Sequence, residues 1–457
     1  MLSRPSAQSQ QARLTGLPFD GYLKYRTYEA TFGDHSLVGG FVHGPGHFVA
    51  AVAALAFDLE GRPYPIFKTG DTRLSRAERG EPYVLHGIVA GRLDKAGASA
   101  AKIVLDELAE EVGGEVVPGT FLLLGASPVP TMPFESSEAD VYHLAAVKIT
   151  GKPYGDGGAM EVVDLIGPLM LSPDEARVAM DSGQVAEGGR SRTMFGRAYD
   201  ALGYLPALDL YVSDHPQLSS RFDTLGAGQV LSFAAEAVRG EIPEPPAPGE
   251  TLEARINHVV CETRAVCDLD SDQRMIAART WHAVTEGEAV TPVRNAFPNE
   301  YLQLDYDRVK VGRYFVDAER GPMLEMTLRM RPALAFAEPP LAVGRLDVED
   351  LQVRRGRPLL EQVPVEGDLL ELGSATSASS GQCDLYYSFL ACRVKAPESD
   401  SEGENFVPLS EAIRLCRRGH GDAHTEAFCQ RLADHLAWIP GLKMSAAEAR
   451  QLLESAS

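Results

Sequence analysis

The sequence predicts an α/β protein with an α+β arrangement of strands and helices. Three observations support this class. The stretch from Phe48 to Phe57 is a nearly continuous apolar run, as in strands that are buried on both faces. From Ala100 to Val112, apolar residues recur at the spacing of an amphipathic helix. The end of the chain also repeats the pattern of an earlier segment, which indicates two related units.

Length, composition and charge restrict the classes of function. The 457 residues are enough for two or three domains, and 44% hydrophobic with 23% charged content is typical of a globular protein. The 64 acidic residues outnumber the 43 basic ones, so we expect no nucleic-acid partner. The sequence shows neither an apolar run of membrane-spanning length nor a signal peptide, and we therefore expect a cytoplasmic protein without a membrane partner.

The cysteines give no sign of a metal or redox motif. All six lie in the second half of the chain, at positions 261, 267, 383, 392, 416 and 429, and none forms a Cys-X-X-Cys pair. We expect buried free thiols.

The N-terminal part is predicted to consist of strands. Residues 1–13 are polar and are assigned to a disordered segment, and 14–84 are assigned to strands. Tyr22–Tyr28 alternates polar and apolar residues, and Tyr64–Phe67 follows a turn at Gly61. The Gly-rich stretch 39–47 is interpreted as a turn region, since it lacks the strand and helix that flank a phosphate-binding loop.

The helix predicted at 100–112 carries an unusual cluster of acidic residues. Its apolar face is formed by Ala101, Val104, Leu105, Leu108 and Val112. Glu107, Glu110 and Glu111 lie on the other side, where like charges repel each other. Glu110 and Glu111 also occupy the last turn, where the helix dipole disfavours carboxylates. Because no residue of the patch offsets these charges, they predict a site for a hard divalent cation; the alternative is a solvated acidic face.

This helix and the loop before it resemble the box of the Nudix hydrolase family. The matching residues are Asp106-Glu107-Leu108-Ala109-Glu110-Glu111-Val112-Gly113, with Gly91 upstream. The segment 90–97, Ala-Gly-Arg-Leu-Asp-Lys-Ala-Gly, is similar to the loop of the branch that cleaves nucleoside-diphosphate sugars. Two residues depart from the family pattern: Asp106 stands at the position of an Arg, and Ala98 stands at the position of the upstream Glu.

The resemblance implies an α/β/α sandwich with a mixed sheet, and it implies a metal site. In the family such a site holds Mg²⁺ or Mn²⁺ through the box glutamates, here Glu107, Glu110 and Glu111, with help from a backbone carbonyl, here that of Ala90. Glu110 and Glu111 would also take part in catalysis.

The resemblance further implies residues that contact the substrate. Lys68 and Arg73 follow the strand at 64–67 and are candidates for binding its phosphates; the alternative is a solvated loop. Asp156 lies on a Gly-rich loop that often carries the general base in this family. Asp156 lies at the matching place of this loop but is not the residue type that the family has there. Glu161, the next carboxylate, is more consistent with anchoring the following strand.

The remaining elements define the domain boundaries. Strands are predicted at Gly119–Leu124, Asp140–Ile149, Glu161–Leu165, Tyr301–Phe315 and Met323–Met330, and helices at 171–183, 192–208, 217–239 and 251–285. Residues 14–239 are assigned to a Nudix hydrolase-like domain with a helical extension. Residues 240–250, rich in Pro and Gly, form a linker. Residues 251–457 hold the helical segment and a second domain.

The second domain is predicted to be a degenerate copy of the first. Leu409-Ser410-Glu411-Ala412 and the later Ile439-Pro440-Gly441-Leu442 match the pattern around Glu175-Ala176 and Leu205-Pro206-Ala207-Leu208. The copy lacks the acidic box, so it would be a structural or substrate-shaping partner. Family members usually form homodimers, and here the second copy would replace the other subunit as an intrachain pseudo-dimer. The alternative is a chance match.

The function implied by the resemblance is hydrolysis of a diphosphate bond. The substrate would be a small nucleoside diphosphate linked to another group, as in an ADP-sugar, a UDP-sugar or ADP-ribose, and the products a nucleoside monophosphate and a sugar phosphate. A rival hypothesis is a catalytically impaired scaffold that binds a nucleotide or a protein; Asp106 and Ala98 favour it. A third keeps hydrolysis but takes a dinucleotide or a CoA-type diphosphate.

Overall fold

A computed structural model gives the fold over most of the chain. The described residues are 11–32, 35–43, 48–69, 74–79, 85–92, 99–128, 139–149, 169–226, 228, 235–243, 258–286, 289–292, 297–336, 343–364, 367–378, 383–398 and 405–455. Residues 11–243 are called the first half below, and 258–455 the second half.

The first half contains strands and helices in alternation. Its elements are β1 (Gln11–Asp20), β2 (Lys24–Phe32), β3 (His35–His43), β4 (Phe48–Phe57), β5 (Pro63–Thr69), α1 (Leu74–Ala77), β6 (Leu85–His86), β7 (Val89–Arg92), α2 (Ala100–Glu111), β8 (Glu115–Val116), β9 (Leu122–Pro128), β10 (Ala139–Lys148), β11 (Leu169–Met170), α3 (Pro173–Asp181), β12 (Val185–Ala186), α4 (Gly188–Leu202), β13 (Tyr204–Leu205), β14 (Leu210–Tyr211), α5 (Pro216–Ser219) and α6 (Ala235–Val238).

The second half begins with strands and ends with helices. Its elements are β15 (His258–Asp268), β16 (Gln273–Glu286), β17 (Ala289–Pro292), β18 (Phe297–Leu304), β19 (Tyr306–Asp317), β20 (Gly321–Glu325), β21 (Thr327–Met330), β22 (Gly344–Asp347), β23 (Glu349–Arg354), β24 (Asp368–Glu371), β25 (Thr376–Ser377), β26 (Tyr386–Arg393), β27 (Phe406–Pro408), α7 (Leu409–Leu415), α8 (Ala423–His435), β28 (Trp438–Ile439), β29 (Met444–Ser445) and α9 (Ala446–Ser455). Short 3-10 turns span Val212–Asp214, Pro332–Phe336 and Leu359–Glu361.

A mixed sheet organises the first half around β4. This strand pairs in parallel with β10 and antiparallel with β5 and β7. Its residues are buried on both faces, as the apolar run predicts. Alternate residues Ala51, Ala53 and Leu55 pack toward α3 and α4, whereas Ala50, Val52 and Ala54 pack toward α2. The sheet is therefore covered by helices on both faces, and the predicted α+β class is confirmed.

The second half repeats the strand pairing of the first. Strand β19 pairs in parallel with β26 and antiparallel with β20 and β23, as β4 does with β10, β5 and β7. Strand β27 then pairs with β20 as β11 pairs with β5, and β24 pairs with β26 as β9 pairs with β10. Helices α7 and α8 and the hairpin β28–β29 follow in the order of α3, α4 and β13–β14. The helix α2 has no counterpart between β23 and β24, where the described residues form only the 3-10 turn at 359–361.

Unusual backbone angles recur at equivalent positions of the two halves. Gly125 and Gly373, one residue pair of the repeat, have φ of 99° and 91°. Asp209 and Lys443, in the two hairpins, have φ of 55° and 54° although neither is a glycine. Left-handed backbone is uncommon for residues with a Cβ, so its recurrence shows that the two halves share local geometry as well as strand order.

The two halves contact each other in a reciprocal manner. The backbone carbonyl of Asp181 lies beside Gly373, and the carbonyl of Arg417 lies beside the equivalent Gly125. Within each half, an arginine of the helix also lies over an aromatic ring of the sheet. The guanidinium of Arg197 on α4 is 5.1 Å from the centroid of the Tyr142 ring, and that of Arg431 on α8 is 4.5 Å from the centroid of the Phe389 ring. Reciprocal contacts between equivalent surfaces are the signature of a two-fold arrangement.

The N-terminal sheet of each half packs against the other half. Tyr25, Tyr28 and Phe41 of the sheet β1–β2–β3 belong to the same core as Leu324 and Phe389. In the opposite direction, Leu74 of the first half packs with Ile276, Ala278 and Tyr301 of the sheet β15–β18. The packing interlocks the halves.

Several predicted elements differ from the structure. Residues 11–13, assigned to a disordered segment, belong to β1, and 39–43, assigned to a turn region, belong to β3, since both pair along β2. Residues 258–268 and 273–285 are strands and not helix, because their side chains alternate across an antiparallel pair. The helix predicted at 192–208 ends at Leu202. The described residues of 217–239 include only two short helical pieces, the last three residues of α5 and the four residues of α6.

Two further predictions concern the linker and the membrane. Residues 240–243 are irregular, as expected of a linker, and 244–257 lie outside the described residues, as does the strand predicted at 161–165. Among the described helices, none is long and apolar enough to cross a membrane.

Candidate functional site

Helix α2 is formed much as its sequence predicts. Ser99 caps the N-terminus by accepting a hydrogen bond from the Lys102 amide, and the helix ends at Glu111 before Gly113. Val104, Leu108 and Val112 are buried against the sheet. Leu105, which the spacing assigns to the same face, is 42% exposed. Val104, Leu108 and Val112, which are four residues apart, face the sheet, and Leu105 lies at the edge of this face. The apolar face is therefore narrower than predicted.

The three glutamates of α2 differ in environment. Glu107 and Glu111, one turn apart, are both partly buried, whereas Glu110 is exposed to solvent. Asp106, which stands at the position of the family's Arg, is also exposed. The structure therefore directs two of the predicted carboxylates toward the body of the protein and leaves the third on the surface.

Lys68 lies next to Glu111. The Nζ of Lys68, at the end of β5, forms an ion pair with Oε1 of Glu111, whose side chain is only 4% exposed. The sequence argument held that no residue offsets the acidic patch, and this was wrong for Glu111: its partner comes from a strand distant in sequence. The role predicted for Lys68, binding of the substrate phosphates, stays a prediction.

Strand β7 forms the other wall of the site. It pairs with β4 so that Ala51 lies opposite Ala90 and Ala50 opposite Gly91. The Glu107 carboxylate and the Ile103 side chain lie so close over Gly91 that a Cβ there would collide with both. A glycine is required at position 91 by this close approach. The backbone of 90–91 and the Glu107 carboxylate thus face each other at one edge of the sheet.

These residues fit a hard divalent cation that is only partly coordinated by protein. Carboxylate oxygens suit Mg²⁺, which is commonly held by one or two carboxylates together with waters and substrate phosphates. The Lys68 ammonium already sits as a cation beside Glu111. Within the described ranges no group of three or more His, Cys, Asp or Glu side chains is close enough to form a metal cage. Among the described residues the arrangement is therefore not a closed structural metal site.

Two predicted site residues cannot be placed. Arg73 and Asp156 both lie outside the described residues, as does Ala98. Their predicted roles in phosphate binding and as general base stay predictions.

A network of ion pairs lies at the start of β19 in the second half. Arg355 follows β23, the counterpart of β7, and contacts Asp307 at 3.2 Å and Asp384 at 2.8 Å. Arg79 of the first half reaches the same Asp307 at 2.6 Å, and its guanidinium lies 3.9 Å from the centroid of the Tyr386 ring. Sequence reasoning missed this network because its members are far apart in the chain.

A second buried charge cluster lies on β19. Lys310 contacts Asp347 at 2.6 Å and Asp422 at 3.3 Å, and Arg331 contacts Asp347 at 2.7 Å. Burial alone would lower the pKa of Lys310, but the neighbouring carboxylates outweigh it and raise that pKa above its ordinary value. The signal in the sequence was a lysine between Val309 and Val311 in a strand buried on both faces.

None of the six cysteines, all of which are described, forms a disulfide. Cys383, Cys392, Cys416 and Cys429 are buried, as predicted, whereas Cys261 is exposed and Cys267 is partly exposed.

Comparisons with known proteins give no family for the chain. No protein-family model matches it, and no curated protein matches it either.

Proposed function

We propose that the chain is a Mg²⁺- or Mn²⁺-dependent hydrolase of the Nudix type, which cleaves a diphosphate bond in a nucleoside diphosphate linked to another group. The observation that carries the proposal is that the Glu107 carboxylate lies against Gly91, while Glu111, one turn further along α2, is ion-paired with Lys68. The helix-covered mixed sheet that holds them agrees with the sandwich that the resemblance implies. The products would be a nucleoside monophosphate and a sugar phosphate.

The metal would be held by Glu107, Glu111 and the Ala90 carbonyl, with Glu110 available from the solvent side. When bound, such an ion neutralises charge on diphosphate oxygens and lowers the pKa of a coordinated water. Lys68 would hold the anionic substrate against the site, since an ammonium is a compact phosphate-binding charge. Arg73 would add a second cationic contact, and Asp156 would accept the proton of the attacking water.

The second half would take the place of a partner subunit. It repeats the strand order of the first half, but its described residues hold only a 3-10 turn between β23 and β24, where the first half has α2. We therefore place the active site in the first half alone. The chain would be an intrachain pseudo-dimer with one site, whose second, degenerate Nudix-like domain stabilises the first.

A second candidate function is a scaffold that binds a nucleotide without turnover. The Lys68–Glu111 ion pair favours it, because a cation already neutralises the carboxylate that a metal would use. The exposed Asp106 also favours it, since it replaces the Arg of the family box. In this case the second half would serve the same structural purpose.

One experiment separates the two candidates. The full chain is incubated with ADP-ribose, ADP-glucose, UDP-glucose, a diadenosine diphosphate and CoA, with Mg²⁺ or Mn²⁺, and phosphatase-sensitive products are measured. Hydrolysis of a panel member supports the enzyme, provided that Glu111→Gln abolishes it while the variant still folds, as judged by a cooperative melting curve. Binding of the nucleotides without products supports the scaffold.

The matched control is Glu115→Gln. Glu115 is an exposed carboxylate on β8, close in sequence to the box but outside the proposed site. We expect this variant to retain full turnover, whereas Glu107→Gln loses it as Glu111→Gln does. Equal loss in Glu115→Gln would mean that the effect is not specific to the α2 carboxylates and would overturn the proposed site.

A further inference from the structure

Helix α1 lies in the connection between two strands of the candidate site. Strands β5 and β6 pair antiparallel over two residues each, with Lys68 opposite His86. The connection between them spans 70–84, and its described part, 74–79, contains α1. A ladder of two residue pairs does little to fix β6 by itself, since even a complete two-stranded hairpin is only marginally stable alone. Contacts of the connection therefore matter for the strand end that carries Lys68.

The apolar side of α1 packs on the second half. Leu74 is 3% exposed and shares a small core with Ile276, Ala278 and Tyr301. These three partners lie on β16 and β18 of the second half. The sheet β15–β18 thus forms the surface on which α1 lies.

Arg79, just after α1, forms an ion pair with the second half. Its guanidinium donates to both carboxylate oxygens of Asp307, at 2.6 and 2.8 Å, and covers the ring of Tyr386. The two charged side chains are only 19% and 23% exposed. A pair that is mostly shielded from water is screened less by salt than a surface pair, so this contact holds the segment firmly.

Glu78, the neighbour of Arg79, binds two other residues of the second half. Its carboxylate accepts a hydrogen bond from the Tyr301 hydroxyl and is ion-paired with Arg264. Burial raises the pKa of Tyr301, so the phenol keeps its proton and is the donor. The contacts of Glu78 and Arg79 therefore point to different strands, β15 and β18 for the first and β19 for the second.

A single hydroxyl of the second half binds the chain on both sides of β6. The Ser377 hydroxyl accepts from the Arg76 guanidinium at 2.9 Å and from the Glu187 backbone amide at 3.0 Å. Arg76 follows β5 and Glu187 follows β12, and these two strands are the neighbours of β6 in the sheet. The second half is thus attached to the chain beyond each neighbour of β6.

These contacts are close in the chain to the residues that we expect to bind the substrate. Arg73 directly precedes Leu74, and Lys68 lies six residues before it. The Lys68 ammonium contacts Glu111 of α2, so a shift of the end of β5 would move this ammonium away from the carboxylate. The segment 74–79 therefore links the second half to the proposed phosphate-binding strand end.

We propose that the second half positions the substrate-binding end of β5 through α1, with Glu78 and Arg79 as positioning residues. The inference rests on the proposed function for the ligand, a nucleoside diphosphate. Neither residue would touch the substrate: each holds α1 on the second half, and the connection that contains α1 in turn holds the ends of β5 and β6. The degenerate half would thus contribute to substrate affinity as well as to stability.

Hydrogen–deuterium exchange of the full chain without substrate tests the positioning. Arg79→Met removes the ion pair from the α1 side and leaves Asp307 with Arg355 as its counter-charge. Because local opening raises exchange only where contacts are lost, we expect exchange about threefold faster in peptides that cover β5 and β6 and unchanged exchange in α9.

The matched control is Arg414→Met. Arg414 of the second half contacts Asp223 of the first at 2.7 Å and is 15% exposed, so the change removes a similar ion pair between the halves at another place, on α7. We expect this variant to exchange like the unmodified chain in β5 and β6.

Steady-state kinetics with Mg²⁺ and the panel member that is hydrolysed fastest provide the second arm. Arg79→Met should raise KM about fivefold to tenfold and leave kcat within about twofold, because a displaced Lys68 weakens binding of the ground state and the transition state alike. Arg79→Lys keeps a cation beside Asp307 and should restore part of the affinity. A variant that is only less stable would lose active protein, which lowers kcat at an unchanged KM.

The inference is overturned if Arg79→Met leaves exchange in β5 and β6 unchanged, or raises it equally in all peptides. It is also overturned if the variant of an active chain keeps its KM. If the unmodified chain hydrolyses no panel member, the proposed function fails, and the exchange result still decides the positioning. If Arg79→Met does not fold, as judged by its melting curve, Tyr301→Phe takes its place in both assays with the same expected results, since it removes only the hydroxyl that donates to Glu78.

Discussion

The guanidinium of Arg197 and the carboxylate of Glu426 form an ion pair between the two halves, 2.7 Å apart and with both side chains fully buried. Arg197 lies on α4 and Glu426 on α8. Arg417 also donates to Glu426 at 2.8 Å, so the carboxylate is held between two guanidinium groups. The contact between α4 and α8 therefore has a buried group of charged side chains at its centre.

Removing one partner of this pair should destabilise the protein strongly. Glu426→Gln leaves Arg197 buried without its counter-charge, and the expected loss in the free energy of unfolding is about 3–5 kcal/mol. Urea unfolding followed by circular dichroism measures it. The control is Arg13→Ala, which breaks an ion pair with Glu29 in which Arg13 is 77% exposed, and which should cost less than about 1 kcal/mol. Similar losses in both variants would contradict the prediction.

The stability of the protein should fall between about pH 6.5 and pH 4 because of His424. Burial lowers the pKa of His424 to about 4, with the Asp422 carboxylate opposing the shift. In this range the unfolded chain binds a proton that the folded chain does not, so the free energy of unfolding decreases as the pH falls. The full effect is about 3 kcal/mol, and it is complete below the folded pKa.

His424→Phe isolates this contribution. The ring of His424 stacks on Tyr387 with centroids 4.4 Å apart, and phenylalanine keeps a ring there but cannot bind a proton. Denaturant unfolding at pH 7 and pH 4.5 should show a smaller pH-dependent loss in the variant than in the unmodified chain. An identical loss in both would show that His424 is not the titrating group.

A methyl group at position 91 should damage the candidate site. Gly91→Ala places a Cβ against the Glu107 carboxylate and Ile103, so either the helix shifts or Glu107 turns away. We expect a loss of about 1–3 kcal/mol in stability and a weaker effect of Mg²⁺ on the melting temperature. Gly240→Ala is the control, because a Cβ at Gly240 would meet no atom of the described residues within 4 Å. Unchanged stability in Gly91→Ala would contradict the close approach.

Lys68 should compete with a bound divalent cation. Lys68→Met removes the ammonium beside the nearly buried Glu111 carboxylate, so the variant should be less stable than the unmodified chain without divalent ions. Because a metal would then supply the missing charge, Mg²⁺ should raise the melting temperature of the variant by more than that of the unmodified chain. An equal Mg²⁺ effect in both would show that the cation does not bind beside Glu111.

The parts of the fold that the sequence predicted are those that local patterns determine. Helix α2 and strand β4 were identified because a helical or continuous apolar pattern is contained within about a dozen residues. The helix predicted at 171–183 is likewise present as α3, and in the structure a capping box of Ser172 and Glu175 closes its first turn. Strands β15 and β16 were misassigned as helix because their pairing partners, and not their own composition, fix them as a ladder.

The parts that the sequence did not predict depend on contacts between distant residues. Lys68 and Glu111 are distant in the chain, so the compensation of the acidic patch could not be seen from α2 alone. The packing of each N-terminal sheet against the other half could not be predicted either. Alternation shows that a strand has an apolar face, but it does not show what covers that face. The internal repeat was visible, yet the reciprocal contacts of Gly125 and Gly373 required coordinates.

The difference between Tyr199 on α4 and Ala433 at the equivalent position of α8 has an evolutionary consequence. In an assembly of identical polypeptides every replacement appears twice, so a change that is useful on one side of the symmetry axis is also imposed on the other. Joining both copies in one gene product removes this coupling, and each copy can diverge separately. Tyr199 on α4 and Ala433 on α8 differ in this way, since one carries an aromatic ring and the other a methyl group.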